Sequence, residues 1–272
     1  MKQQPKVSTV IGDRFQFIIV RAAIHQTEDG PVVPSGSSFV PGESLFFSAA
    51  LDGYRVSLAK RVHITWQVQA VDANGVPIME TGSGKIESPV EEEDKEWMPI
   101  IRQTVLVPPF APSGSYKIRV TAKDELSGAS AMKEVDFVVR GHQVEPSDTL
   151  VVRNFRYYRS EEDTRPLQIA AYRPGDTVWA RFDITGYKLS SGNQLHVSYS
   201  VAVSGPGGRV LFSQPEPTVE KVASFYPQQY VPCLINLSLQ PNIRPEEYAI
   251  TVTVKDHIGN QEGQVREVFR VE

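Results

Sequence analysis

Tyr116-Lys117-Ile118-Arg119-Val120-Thr121 and Tyr248-Ala249-Ile250-Thr251-Val252-Thr253 carry the same pattern. In each, Tyr, Ile and Val fall on alternate positions. That is the spacing of a strand with one buried and one wet face. Clean alternation belongs to antiparallel sheets, since strands of parallel sheets are covered on both faces and are apolar throughout. The same dipeptide ends both stretches, Lys123-Asp124 and Lys255-Asp256.

The correspondence extends outward from this pair. Phe137 answers to Phe269, Val139 to Val271 and Pro109 to Pro241, all at the same offset. Val20-Arg21 answers to Val152-Arg153. Between these points the offset grows by one residue. Pro41-Gly42-Glu43-Ser44-Leu45 matches Pro174-Gly175-Asp176-Thr177-Val178, Gly53-Tyr54 matches Gly186-Tyr187, and His63, Trp66, Val68 and Gly75 match His196, Tyr199, Val201 and Gly208. An internal repeat of this kind is read before anything else. It predicts a duplication, with domains at 14–140 and 149–272. The segment Gly141-His142-Gln143-Val144-Glu145-Pro146-Ser147-Asp148 has the composition of a short linker.

Further alternating runs are Val62 to Val68, Val135 to Val139 and Leu195 to Tyr199. Turn dipeptides lie between the runs. Asn74-Gly75 and Gly207-Gly208 predict tight hairpins in which both central residues take positive φ. No stretch has helical period, and 20 prolines and 19 glycines oppose long helices. Seven or eight short antiparallel strands per repeat predict an all-β chain of two tandem β-sandwiches.

These residues resemble the immunoglobulin-like class. The strand opened by Pro-Gly-acid (Leu45, Phe47; Val178) looks like its strand B. The strand with Trp66 or Tyr199 at its centre looks like strand C, and the strand opened by Tyr116 or Tyr248 looks like strand F. Ile118 and Ile250 stand where antibody domains carry their second disulfide cysteine. The chain is thus similar to cysteine-free bacterial immunoglobulin-like and fibronectin-type-III-like modules, and to tandem modules of exported bacterial proteins. The resemblance implies an envelope setting, periplasmic or secreted, with a signal peptide removed. Met1-Lys2-Gln3-Gln4-Pro5-Lys6 opens no apolar signal segment, which leaves a cytoplasmic location open.

Composition narrows the function. A net charge of −4 and a pI near 5.8 give no field that favours nucleic acid. The single cysteine, Cys233, allows no intrachain disulfide and is expected to be a small buried hydrophobe. No apolar run is long enough for a transmembrane helix. Neither a nucleophile motif, a zinc-protease motif nor a phosphate-binding glycine loop occurs. No catalytic, cofactor-binding or metal residue is therefore assigned, and no enzymatic activity is expected. A carboxylate-based hydrolase is the remote third class.

Several residues are candidates for sites. Asp72-Ala73-Asn74-Gly75 begins like a calcium loop but has no downstream glutamate at the required spacing, so a plain turn is expected. Asp124 and Asp256 are expected to bond their own backbone two residues on, with a strand-end calcium site as the alternative. Glu91-Glu92-Glu93-Asp94 is expected to be a solvated loop. His63 and His196 fall on the outer face, and a metal pair would need a partner across the strand. Trp97, Tyr157, Tyr158, Tyr226 and Tyr230 lie outside the core pattern and are the candidate contacts for a ligand or partner. The expected role is a non-enzymatic interaction or spacer protein with an unidentified protein partner or envelope glycan. A carbohydrate-binding or accessory module is the alternative.

Overall fold

The computed structural model describes residues 16–91 and 97–272. The chain folds into two compact units. One holds the described residues up to Phe39, those of Glu43–Val107, and Gly114–Val139; the other holds Val40–Gly42, Pro108–Ser113 and Arg140–Glu272.

In the first unit, β1 (Ile18–His25), β3 (Ser44–Asp52) and β6 (Ile100–Leu106) form a three-stranded sheet in the order β1-β3-β6. Its second sheet runs β2 (Ser38–Phe39), β8 (Ser130–Val139), β7 (Gly114–Asp124), β4 (Ile64–Val71), β5 (Gly82–Ile86). In the second unit, β9 (Val151–Tyr158), β11 (Thr177–Thr185) and β15 (Tyr230–Ser238) form the order β15-β11-β9. Its larger sheet runs β10 (Ala171–Tyr172), β17 (Gln261–Val271), β16 (Glu247–Asp256), β12 (Gln194–Ser204). Two short strands, β13 (Val210–Ser213) and β14 (Thr218–Ala223), pair with successive parts of the free side of β12. The chain is all-β, in sandwiches of a small and a large sheet.

The alternation seen in the sequence is the burial pattern. Tyr116, Ile118 and Val120 on β7 are buried, as are Tyr248, Ile250, Val252 and Val254 on β16. Ile118 and Ile250 have almost no exposed surface. Burying one such side chain contributes roughly 1.5–3 kcal/mol. Tyr199 is buried, whereas Trp66 is only half-buried. Trp66 lies opposite Gly84 on β5, where a Cβ would come within 2.6 Å of the indole. Glycine at that position gives the ring its room.

Three local features differ from expectation. The sheets are not wholly antiparallel: β2 pairs in parallel with β8, and β10 with β17, over two residues each. At Asn74-Gly75 only the glycine has positive φ (80°), because Gly75 N–H closes the turn on the Asp72 carbonyl at 3.0 Å. Pro206–Gly208 is a short 3-10 turn rather than a two-residue hairpin, with Gly205 N–H bonded to the Arg209 carbonyl, while Gly207 and Gly208 both take positive φ (74° and 82°) as expected. Within the acidic run, Glu91 is exposed; Glu92, Glu93 and Asp94 lie outside the described residues.

Candidate functional site

The larger sheets of the two units end in edges of opposite character. In the first unit the edge is β5, Gly82-Ser83-Gly84-Lys85-Ile86, with no large apolar side chain before its last residue. In the second unit it is β13 and β14. All four residues of β13 are exposed, and three of them are Val210 (60%), Leu211 (54%) and Phe212 (44%). Val219 and Val222 on β14 and Phe225 beyond it are also exposed. An edge strand with exposed apolar side chains is a candidate interaction site.

Backbone bonds fix which way this edge faces. His257 N–H donates to the His196 carbonyl on one side of β12, and Gln214 N–H donates to the Val201 carbonyl on the other. Antiparallel alternation then turns the N–H and C=O groups of Val219, Lys221 and Ala223 away from β12, open to a partner.

The smaller sheet of the second unit carries a different feature. Arg156 on β9 and Arg181 on β11 are direct cross-strand partners. Their neighbours Phe155, Tyr157, Ala180 and Phe182 are buried, so both arginines point outward. Arg181 lies over the Tyr158 ring at 4.3 Å and donates to the carbonyls of Asp163 and Glu161. Arg156 donates to the Phe155 carbonyl at 2.8 Å. Beside them, Asn154 adopts φ 52° at a β-bulge. Its amide donates to buried Asp183 at 2.8 Å, and His142 Nε2 lies 2.7 Å from the same carboxylate oxygen. Asn tolerates this left-handed conformation where most residues do not.

The five aromatic candidates occupy varied places. Tyr157 is buried, its ring edge-on to Phe155 at 5.3 Å, and its hydroxyl has no partner among the described residues. Burial pushes that phenol far above its ordinary range. Tyr158 points outward beneath Arg181. Tyr226 and Tyr230 are buried, and Tyr230 meets the His142 ring at 5.3 Å. In the first unit, Trp97 is half-buried against Tyr54, whose hydroxyl donates to the Trp97 carbonyl at 2.8 Å. Of the five, Tyr158 joins the arginine face, and Tyr230 lines the same cleft as the two arginines.

The remaining candidates have structural partners. Asp124 is fully buried and accepts from Leu126 N–H two residues on, from Arg55 N–H and from Ser127. Asp256 accepts from Ile258 N–H and Lys188 N–H, both at 2.9 Å. Asp72 accepts from the N–H groups of Asn74 and Val76. His63 Nδ1 is 4.0 Å from Glu87. His196 stacks on His257 with ring centroids 4.3 Å apart, and His257 Nε2 meets Ser198 Oγ at 2.8 Å. No group of three or more His, Cys, Asp or Glu with metal-binding geometry occurs among the described residues. Cys233 is buried, and burial raises its thiol pKa well above the ordinary value, which disfavours a reactive thiolate. Among the described residues no helix is long and apolar enough to cross a membrane.

No protein-family model matches the chain, and no curated protein matches it. Among solved structures it is similar to the C-terminal domain of the Streptococcus agalactiae AgI/II polypeptide BspA. The TM-score is 0.32 at 13% identity, covering 94% of this chain and 99% of that one. The C-terminal domain of the Streptococcus pyogenes antigen I/II-family protein AspA gives 0.31 at 11% identity, covering 96% and 100%. A family 123 glycoside hydrolase from Clostridium perfringens gives 0.31 at 13% identity, covering 46% of this chain and 27% of that one.

Proposed function

We propose that this chain is a non-enzymatic interaction protein of the bacterial cell envelope, built from one duplicated module. In this reading the second unit makes the contact and the first acts as spacer. The observation that carries it is the edge formed by Val210, Leu211, Phe212, Val219 and Val222, where β5 has a single large apolar residue, Ile86, at its end. The envelope setting rests on the resemblance to cysteine-free modules of exported bacterial proteins.

The occupant we assign to this edge is the apolar surface of another protein. A second copy of the chain is opposed by charge. In a continuous antiparallel sheet, residues facing one another point to the same side, so a twofold pairing centred on β14 sets Glu220 against Glu220 or Lys221 against Lys221. Like charges directly opposite are destabilising. Pro215 and Pro217, between β13 and β14, offer no N–H to a pairing strand.

The test is capture from a bacterial envelope fraction by the tagged chain and by its Leu211→Lys/Phe212→Lys variant. A protein retained by the parent and lost with the variant supports the reading. Equal retention by both, or retention of glycan alone, contradicts it.

A further inference from the structure

Apart from that edge, the smaller sheet of the second unit places two positive charges where sheet chemistry disfavours them. Arg156 and Arg181 are directly opposite on β9 and β11, and both point outward. Opposed Cβ atoms in an antiparallel pair lie about 4.5–5.5 Å apart, and like charges there destabilise the sheet. The usual remedy is a carboxylate between or beside them. Among the described residues neither arginine has one within ion-pair distance: the ion pairs of this unit join other residues, such as Arg153 with Glu145, Arg159 with Asp176 and Lys255 with Glu262. The hydrogen bonds that Arg156 and Arg181 do make end on neutral carbonyl oxygens of Phe155, Asp163 and Glu161. The loop carrying Glu161 and Asp163 thus offers Arg181 its backbone; the Asp163 carboxylate is bonded to the N–H groups of Arg159 and Ser160. Asp183, the acid closest in sequence to Arg181, is bonded to Asn154 and His142.

The same two positions in the first unit are held by Ala23 and Ser48, which are cross-strand partners on β1 and β3. The fold does not require charge there.

We propose that Arg156 and Arg181 form a binding site for an anionic group, a carboxylate or phosphate carried by a ligand. Guanidinium forks match the planar pair of oxygens that both groups present. Arg181 is held by the two loop carbonyls and by its contact over Tyr158, which orders it before a ligand arrives. Arg156 is exposed. The Tyr158 ring and the Asn154 side chain border the pair on β9, and Asn154 has its amide committed to Asp183.

The experiment uses the full chain at constant ionic strength, with calorimetric titration and thermal melts. The probes are inorganic phosphate and, separately, glucuronate as a carboxylate. Binding by either probe, weakened about tenfold or more in Arg156→Gln, is the expected result; this corresponds to losing one charge-assisted hydrogen-bonding group. The stronger probe identifies the source of the anion. Arg209→Gln, at an exposed arginine of the same unit, binds as the parent does. Without ligand, Arg156→Gln melts no lower than the parent, because it relieves a like-charge pair, and neither probe raises its melting temperature. The proposal is overturned if neither probe binds, or if Arg156→Gln and Arg209→Gln bind alike.

Discussion

The two units share strand order and core positions and differ at what they turn outward. Ile118 and Ile250 are both buried in the cores, and Asp124 and Asp256 tie the same turns. Where the first unit has Ala23 and Ser48, the second has Arg156 and Arg181, and where the first has a Gly-Ser edge, the second has Val210, Leu211 and Phe212. A third contrast lies on the outer face of the larger sheets. Thr65 donates to Glu125, which Lys123 also holds; in the second unit Ser198 and Lys255 stand in those places, and His257 replaces the acid. A close-packed core tolerates little change in volume, so the differences between the two units collect on faces and edges.

The comparison breaks most visibly in the core. Phe182 is buried, stacked on Phe155 at 5.7 Å and edge-on to Tyr199. Phe182→Ala is expected to cost the second unit about 3–5 kcal/mol, read as a lowered denaturant midpoint. Truncating the turn aspartates has a smaller effect and ranks the units. Asp124→Ala strands the N–H groups of Arg55 and Leu126 and the Ser127 hydroxyl, and is expected to cost about 3 kcal/mol; Asp256→Ala strands two N–H groups and costs about 2 kcal/mol. If both variants melt like the parent, the turns do not depend on these carboxylates.

Acid separates the units by mechanism. The His196 imidazole is held below its ordinary pKa, first by lost hydration, then by His257 and Lys221. A folded-state value below the unfolded one means that the unfolded chain binds the proton first. This contribution is therefore lost as pH falls through the ordinary histidine range near ~6.5. The corresponding network of the first unit responds at lower pH. Glu125 is held below its ordinary value by the hydrogen bonds of Lys123 and Thr65, so its contribution persists above about 4.3 and is lost in stronger acid. Thermal melts from pH 7.5 to 5.5 should fall less steeply in His196→Gln than in the parent; identical slopes would remove His196 from the account. The smallest effect belongs to the edge. Leu211→Lys should change stability by no more than about 0.5 kcal/mol, because the side chain is already in water. A large loss would mean that the edge is structural.

The fold was legible because alternation and turn residues are local signals, and two matching halves state them twice. Asp124 and Asp256 were legible for the same reason: each bonds the backbone two residues on. What escaped depends on pairing and phase. The bulge at Asn154 sets the phase of β9, and it is this that buries Tyr157 and turns Tyr158 outward. Arg156 and Arg181 lie far apart in sequence, and only strand register brings them opposite. Val210-Leu211-Phe212 has the composition of a core strand, and no residue in it reveals that β13 lies at an edge. The stacking of His196 on His257 likewise needs the pairing of β12 with β16.

The most direct test of the division between the units is site-specific photo-crosslinking in a bacterial envelope fraction. The crosslinking residue is placed at Phe212 in one sample and at Lys85, on the corresponding edge of the first unit, in another. The account predicts a discrete protein adduct from position 212 and none from position 85. An adduct from position 85 alone, or from neither, would contradict it.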